Sequence, residues 1–419
     1  LLSTRARFPR RAAVVGESMT ELAEALDAVA EGGPHPLAAT GTAGTADRVV
    51  FVFPGQGSQW AGMAEGLLER SGAFRSAADS CDAALRPYLG WSVLSVLRGE
   101  PDAPSLDRVD VVQPVLFTMM VSLAAVWRAL GVEPAAVVGH SQGEIAAAHV
   151  AGALSLDDSA RIVALRSRAW LGLAGKGGMV AVPMPAEELR PRLVTWGDRL
   201  AVAAVNSPGS CAVAGDPEAL AELVALLTGE GVHARPIPGV DTAGHSPQVD
   251  ALRAHLLEVL APVAPRPADI PFYSTVTGGL LDGTELDATY WYRNMREPVE
   301  FERATRALIA DGHDVFLETS PHPMLAVALE QTVTDAGTDA AVLGTLRRRH
   351  GGPRALALAV CRAFAHGVEV DPEAVFGPGA RPVELPTYPF QRERYWCHPG
   401  VRGGDPASLG MDGADHPLL

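Results

Sequence analysis

Gly139-His140-Ser141-Gln142-Gly143 sets a serine between two glycines with one residue on each side. A G-x-S-x-G run of this kind seats the serine on a tight, strained strand-to-helix turn. Glycine is required at both flanks, because side chains there would strike the neighbouring strand and helix. The turn lifts the serine Oγ above the sheet and sets it at a helix N-terminus. The Gln142 N–H then points to where an oxyanion would form. A serine at its ordinary pKa is a poor nucleophile and needs a base. The chain has 12 histidines. His140 adjoins Ser141, so its side chain faces away, and His149 lies on an apolar helix as a core residue would. His35, His350, His398 and His416 fall in linker-like or polar segments. His245, in residues 241–246, and His322, in 320–323, both lie in loops at the ends of strand-like segments, and spacing leaves that choice open. Arg166 falls near the end of the helical region after Ser141, where a solvated arginine is the commoner outcome.

Elements of an α/β fold must position these residues. The apolar run 48–53 ends at Pro54-Gly55 and suits a buried parallel strand. A second short strand, 135–138, runs straight into the serine turn and then into the apolar helix 144–148. Ligand sites form at such carboxyl ends of parallel strands. Residues 111–130 are long and apolar enough for a central buried helix. Residues 177–238 read as β-α-β-β-α-β, a ferredoxin-like unit inserted in the larger pattern, with Asn206-Ser207-Pro208-Gly209 as its central turn and Asp216 as a helix cap. The larger pattern resumes after Gly239, with strands at 272–276 and 315–318 and helices near 249–261, 302–312 and 350–368. Residues 33–46 read as a linker, rich in Gly, Pro, Ala and Thr.

Composition limits the function classes. A length of 419 residues implies two or three domains, and 47% hydrophobic residues supply a sizeable core. A net charge of −15 argues against a sequence-independent nucleic-acid binder. No apolar run is expected to span a membrane, and the first residues have no signal-peptide layout. The start at Leu1 reads as a piece of something longer. Cys81, Cys211, Cys361 and Cys397 are far apart, so neither a metal site nor a disulfide framework is expected, and a reducing cytoplasm fits.

Several separate motifs resemble the acyltransferase (AT) domain of modular type I polyketide synthases, and also the malonyl-CoA:acyl-carrier-protein transacylases. Phe53-Pro54-Gly55-Gln56-Gly57-Ser58-Gln59-Trp60 resembles the family's opening motif, and Gly139 to Glu144 its nucleophile motif. Arg166 lies where the family keeps a carboxylate-binding arginine. Thr242-Ala243-Gly244-His245 resembles the stretch carrying its catalytic histidine. Asn294-Met295-Arg296-Glu297-Pro298-Val299 and Glu318 to Pro323 match two later motifs. Leu385 to Trp396 is similar to the linker that follows the domain.

The resemblance implies a large α/β-hydrolase-like parallel-sheet subdomain (47–176 and 239–376) with the ferredoxin-like subdomain (177–238) inserted. It also implies the end of a ketosynthase–AT linker at 1–46, a post-AT linker at 377–402, and the start of a dehydratase-like domain at 403–419. Ser141 is then the nucleophile and His245 the base. The N–H groups of Gln56 and Gln142 form the oxyanion site, Arg166 binds the substrate carboxylate, and a backbone carbonyl around Asn294 orients the histidine. The acyl group travels from acyl-CoA to the phosphopantetheine thiol of an acyl carrier protein, with no tightly bound cofactor. Tyr-Ala-Ser-His at the histidine stretch accompanies methylmalonyl use in the family, and His-Ala-Phe-His malonyl use. In Thr242-Ala243-Gly244 the alanine is the same, but Thr242 is smaller than Tyr and Gly244 has no side chain, which implies a roomier pocket and an ethylmalonyl or other alkylmalonyl unit, with methylmalonyl as the alternative. A serine hydrolase of lipase type and a non-catalytic spacer remain the rival classes.

Overall fold

The computed structural model describes residues 7–44 and 48–377, together with Pro386. Apart from residues 377 and 386, the segments expected as a post-AT linker and a dehydratase-like start lie outside the described residues, as does Cys397.

The strand Val49–Phe53 is fully buried along its length, as an apolar run covered on both faces must be. Its side chains alternate: Val50 and Val52 pack with Ala136, Val138 and Phe316, whereas Phe51 and Phe53 pack with Val137, Val315 and Leu317. It pairs in parallel with Ala136–Gly139 on one side and Val315–Glu318 on the other. Phe272–Ser274 and Ala341–Gly344 extend the parallel sheet outward. The antiparallel Gly279–Leu281 closes one edge and gives six strands. Ala341–Gly344 and Gly279–Leu281 carry no strong sequence signal. They sit at the edges, where pairing with an existing strand substitutes for intrinsic preference.

The helix Val109–Ala129 buries 16 residues, among them Val112, Leu116, Met119 and Trp127. It is long and apolar enough to cross a bilayer by composition, contrary to the expectation above. It lies with 83% of its apolar window buried inside the fold, which accounts for that composition.

Residues 178–236 form the expected β-α-β-β-α-β unit. Gly178–Val182, Leu200–Ser207, Ser210–Gly215 and Arg235–Pro236 are its strands, with helices Ala186–Leu193 and Pro217–Gly229 between them. Asp216 caps the second helix through the Ala219 N–H. A fifth strand, Val299–Glu300, joins in parallel beside Leu200–Ser207. It comes from beyond the 177–238 boundary, so the small sheet is not built from the insertion alone.

Residues 33–46 are not wholly a linker. Ala38–Thr42 is a strand, antiparallel to Arg10–Val14, and both pack on the helix Gly352–Ala365. The cause is tertiary: a Cβ at Gly41 would stand 2.8 Å from the Ala365 carbonyl oxygen, so this small-residue strand fits closely against that helix.

Candidate active site

The serine turn leaves the carboxyl end of Ala136–Gly139 and enters the helix Gly143–Val150. Both flanking glycines are sterically obligatory. A Cβ at Gly139 would lie 2.2 Å from the Glu144 nitrogen, and one at Gly143 would lie 2.0 Å from the Phe53 carbonyl oxygen. Ser141 itself has φ +54°, a left-handed conformation costly for any residue but glycine. Among the described residues only three non-glycines share that region, and His245, at φ +59°, is another.

The two strained residues meet. Ser141 Oγ lies 2.8 Å from His245 Nε2, and His245 Nδ1 lies 2.8 Å from the Glu297 carbonyl oxygen. A carbonyl only accepts, so Nδ1 carries the proton and Nε2 is left as an acceptor for the serine hydroxyl. The helix Ala288–Arg296 supplies this support. Pro298 disfavours a helical conformation at Glu297, so the last carbonyls of the helix have no partner within it. Met295 C=O takes the His245 N–H at 2.8 Å, and Glu297 C=O takes the ring. A backbone carbonyl thus stands where lipase-type enzymes keep an acidic residue.

His322 is elsewhere: its Nδ1 accepts from the Arg348 N–H at 3.3 Å. His140 turns away and bonds Asn206 Oδ1 at 2.9 Å, and His149 bonds the Leu154 carbonyl.

The backbone carbonyl expected around Asn294 is that of Glu297, three residues on, and the Asn294 side chain itself bonds elsewhere. Its Nδ2 donates to Glu144 Oε2 at 2.7 Å and to the Ser141 carbonyl at 3.2 Å, and its Oδ1 accepts from Arg166 Nη1 at 2.8 Å. The distinction between carbonyl and side chain is invisible in sequence, because both come from one motif. Asn294 instead ties the serine turn to the arginine.

Arg166 lies on the helix Leu156–Ala169 and is 1% exposed, not solvated. Its only hydrogen-bond partner among the described residues is the neutral Asn294 amide, and its buried Nε has none. Burial lowers its pKa to about 10, opposed by Glu144, so it stays cationic at neutral pH. Sequence reasoning assigned no role to Glu144, although it closes the nucleophile motif. Its fully buried carboxylate accepts from Thr275 N and Oγ1, Tyr290 OH and Asn294 Nδ2. Burial pushes its pKa up while these four donors pull it down.

Burial dominates the histidine too. It draws the His245 imidazole down to about 3, helped by Arg166 and His140 and opposed by the Glu297 carbonyl. The ring is therefore neutral, as a base must be. Gln142 N–H and Gln56 N–H make no backbone hydrogen bond among the described residues. The loop bearing Gln56 passes beside Ser141, since a Cβ at Gly55 would lie 3.9 Å from the Ser141 Cβ. The Gln142 side chain is 3% exposed, with neither amide atom bonded.

Thr242 is half-buried, and Ala243 and Gly244 are buried. The space that a Cβ on Gly244 would take is bordered by two large side chains. Met179 and Trp170 stand against it, and neither is adjacent in sequence.

A parallel α/β sheet presenting a strained serine to a neutral histidine defines a class of enzymes built for acyl-serine chemistry. The chain belongs to the acyl transferase domain family, whose pattern matches residues 50–370. It is 55% identical to polyketide synthase GfsB of Streptomyces halstedii over 421 aligned residues, covering all of this chain and 8% of that protein. It is 50% identical to erythronolide synthase EryA2 of Saccharopolyspora erythraea over 405 residues, 96% of this chain and 11% of that protein. Among solved structures, the acyltransferase domain from module 8 of the salinomycin polyketide synthase shares 53% identity at a TM-score of 0.87, with 88% of each chain covered. The malonyl CoA-acyl carrier protein transacylase of Coxiella burnetii, at 23% identity and TM-score 0.67 over 76% of this chain and 98% of that one, shares the fold.

Proposed function

We propose that this chain transfers an α-substituted malonyl unit from coenzyme A, through an acyl-Ser141, to the phosphopantetheine thiol of an acyl carrier protein. The observation that carries the reading is the buried Arg166, linked through Asn294 to the serine turn and bonded to no carboxylate. A buried cation whose hydrogen-bonded partner is neutral is costly, and Glu144, across Asn294, offsets only part of that cost. An acyl group ending in a free carboxylate offsets that cost through a paired guanidinium contact, which lysine cannot reproduce.

His245 Nε2 takes the Ser141 proton as Oγ attacks the thioester carbon. Charge develops on the carbonyl oxygen, where the N–H groups of Gln142 and Gln56 receive it. Each such donor is worth ~3 kcal/mol of barrier. Collapse expels the CoA thiolate, which recovers the proton from His245. The carrier thiol then repeats the attack on the acyl-serine, with His245 again moving the proton. Coenzyme A and pantetheine arrive as substrates, so no resident cofactor is needed. In the longer synthase, residues 1–46 and 377–402 serve as linkers to a preceding ketosynthase and a following dehydratase-like domain that begins at 403–419. No nucleic acid or membrane takes part, and the setting is cytoplasmic.

Small Thr242, Ala243 and Gly244 favour ethylmalonyl or another alkylmalonyl unit. Methylmalonyl is the second reading, favoured by the packing of Trp170 and Met179 against Gly244. Intact mass spectrometry after mixing with malonyl-, methylmalonyl-, ethylmalonyl- and butylmalonyl-CoA separates them. The expected adduct is a substituted malonyl group, absent in Ser141→Ala. Dominant malonyl loading, or an adduct persisting in Ser141→Ala, refutes the reading.

A further inference from the structure

A Cβ placed on Gly244 would meet the Met179 methyl at 3.1 Å and the Trp170 indole at 3.2 and 3.5 Å. The φ of Gly244 is not in the left-handed region, so backbone conformation does not demand glycine here. The close approach of two large side chains bears on it instead, since a methyl there would make Met179 or the Trp170 ring shift by a few tenths of an ångström. We propose that Trp170 and Met179, seated against Gly244, form the wall that sets which α-substituent the acyl pocket admits. The inference deepens the reading of a substituted malonyl substrate and rests on it.

Position makes the case. Trp170 follows the end of the helix that carries Arg166, four residues on, so the two lie on one side of it. Gly244 adjoins His245. The wall therefore runs from the arginine to the base. A malonyl unit spans the same interval, with its carboxylate at Arg166 and its thioester carbonyl at Ser141. Both groups are bonded to the α-carbon, so that carbon lies between them and its substituent faces the wall.

The two wall residues differ in character. Trp170 is 4% exposed and fixed in the main core. Met179 is half-buried on Gly178–Val182, the first strand of the small sheet. An unbranched thioether repacks easily. Trp170 therefore sets the floor of the pocket, and Met179 is the part that yields to a longer chain. The size preference then depends on two residues distant in sequence from the 242–245 stretch.

Trp170→Ala, Trp170→Phe and Met179→Ala test this in competition among equal methylmalonyl-, ethylmalonyl- and butylmalonyl-CoA, read as adduct masses on the whole chain. One methylene of fit is worth about tenfold or more in discrimination. Trp170→Ala and Met179→Ala are expected to raise the ratio of longer adducts to methylmalonyl by about that factor, and Trp170→Phe by less in the same direction. Folding is checked by thermal melting, and Trp170→Phe and Met179→Ala carry the test should Trp170→Ala unfold. Unchanged ratios in folded variants overturn the wall while leaving the substrate class intact. Failure of the unmodified chain to load any substituted malonyl group overturns both.

Discussion

At the residue scale the site is a chain of four side chains and two backbone carbonyls. Glu297 C=O holds His245, His245 meets Ser141, and Asn294 ties the Ser141 carbonyl to Arg166. General-base assistance is worth ~10²–10⁴ in rate. His245→Ala should slow Ser141 acylation by that factor in stopped-flow or quenched mass measurements, whereas His322→Ala should leave it within a few-fold of normal. The reverse pattern would reassign the base. The lowered His245 pKa also fixes a pH dependence. The neutral ring is the active form and is retained as pH falls through 6.5, where an ordinary imidazole is half protonated. kcat/KM should therefore stay level across that region and fall only toward the lowered value of about 3. A half-maximal point near 6.5 would contradict it. Stability follows the same sign: the depressed pKa contributes fully above 6.5 and is lost progressively between 6.5 and 3. Ser141 was legible from its two glycines together with the buried strand before them and the apolar helix after them. The histidine was not, because His245 and His322 lie in similar loops and only the fold brings one of them to the serine. Arg166 read as solvated until motif resemblance gave it a partner, since helical spacing does not reveal which face a large body covers.

At the element scale the site depends on where strands and helices stop. The sheet delivers Gly139 and Gly143 into contacts that leave no room for a Cβ. Gly143→Ala would press a methyl against the backbone of Phe53 and Pro54, where no flexible side chain can give way. Overpacking of this kind costs ~1–3 kcal/mol or more. A lower melting temperature together with loss of acylation is expected, and normal melting and activity would show that the turn relaxes freely. Buried central strands such as Val49–Phe53 and Val315–Glu318 could be read directly, because continuous apolar runs have few other uses. The strands Ala38–Thr42, Val299–Glu300 and Ala341–Gly344 could not. Each is short and owes its extension to a partner strand far away in sequence. The same limit hid the wall beside Gly244, since Met179 and Trp170 reach it from separate elements.

At the scale of the whole molecule, an acidic chain of net charge −15 buries a cation, Arg166, whose hydrogen-bonded partner among the described residues is a neutral amide. That arrangement favours a carboxylate-bearing acyl group and shields the acyl-serine, because water must enter beside a filled site. With an acyl carrier protein present, the acyl group should leave for the pantetheine thiol much faster than for water. Faster release to water would place the chain with serine hydrolases in activity. The most direct test of the account compares Arg166→Ala with the unmodified chain, mixing each with equal methylmalonyl-CoA and propionyl-CoA and weighing the intact protein. Removing one partner of a buried charged pair costs ~3–5 kcal/mol, about a hundredfold or more. The methylmalonyl adduct on Ser141 should fall by that factor while the propionyl adduct changes little. Equal loss of both adducts would show that Arg166 supports the fold and selects nothing.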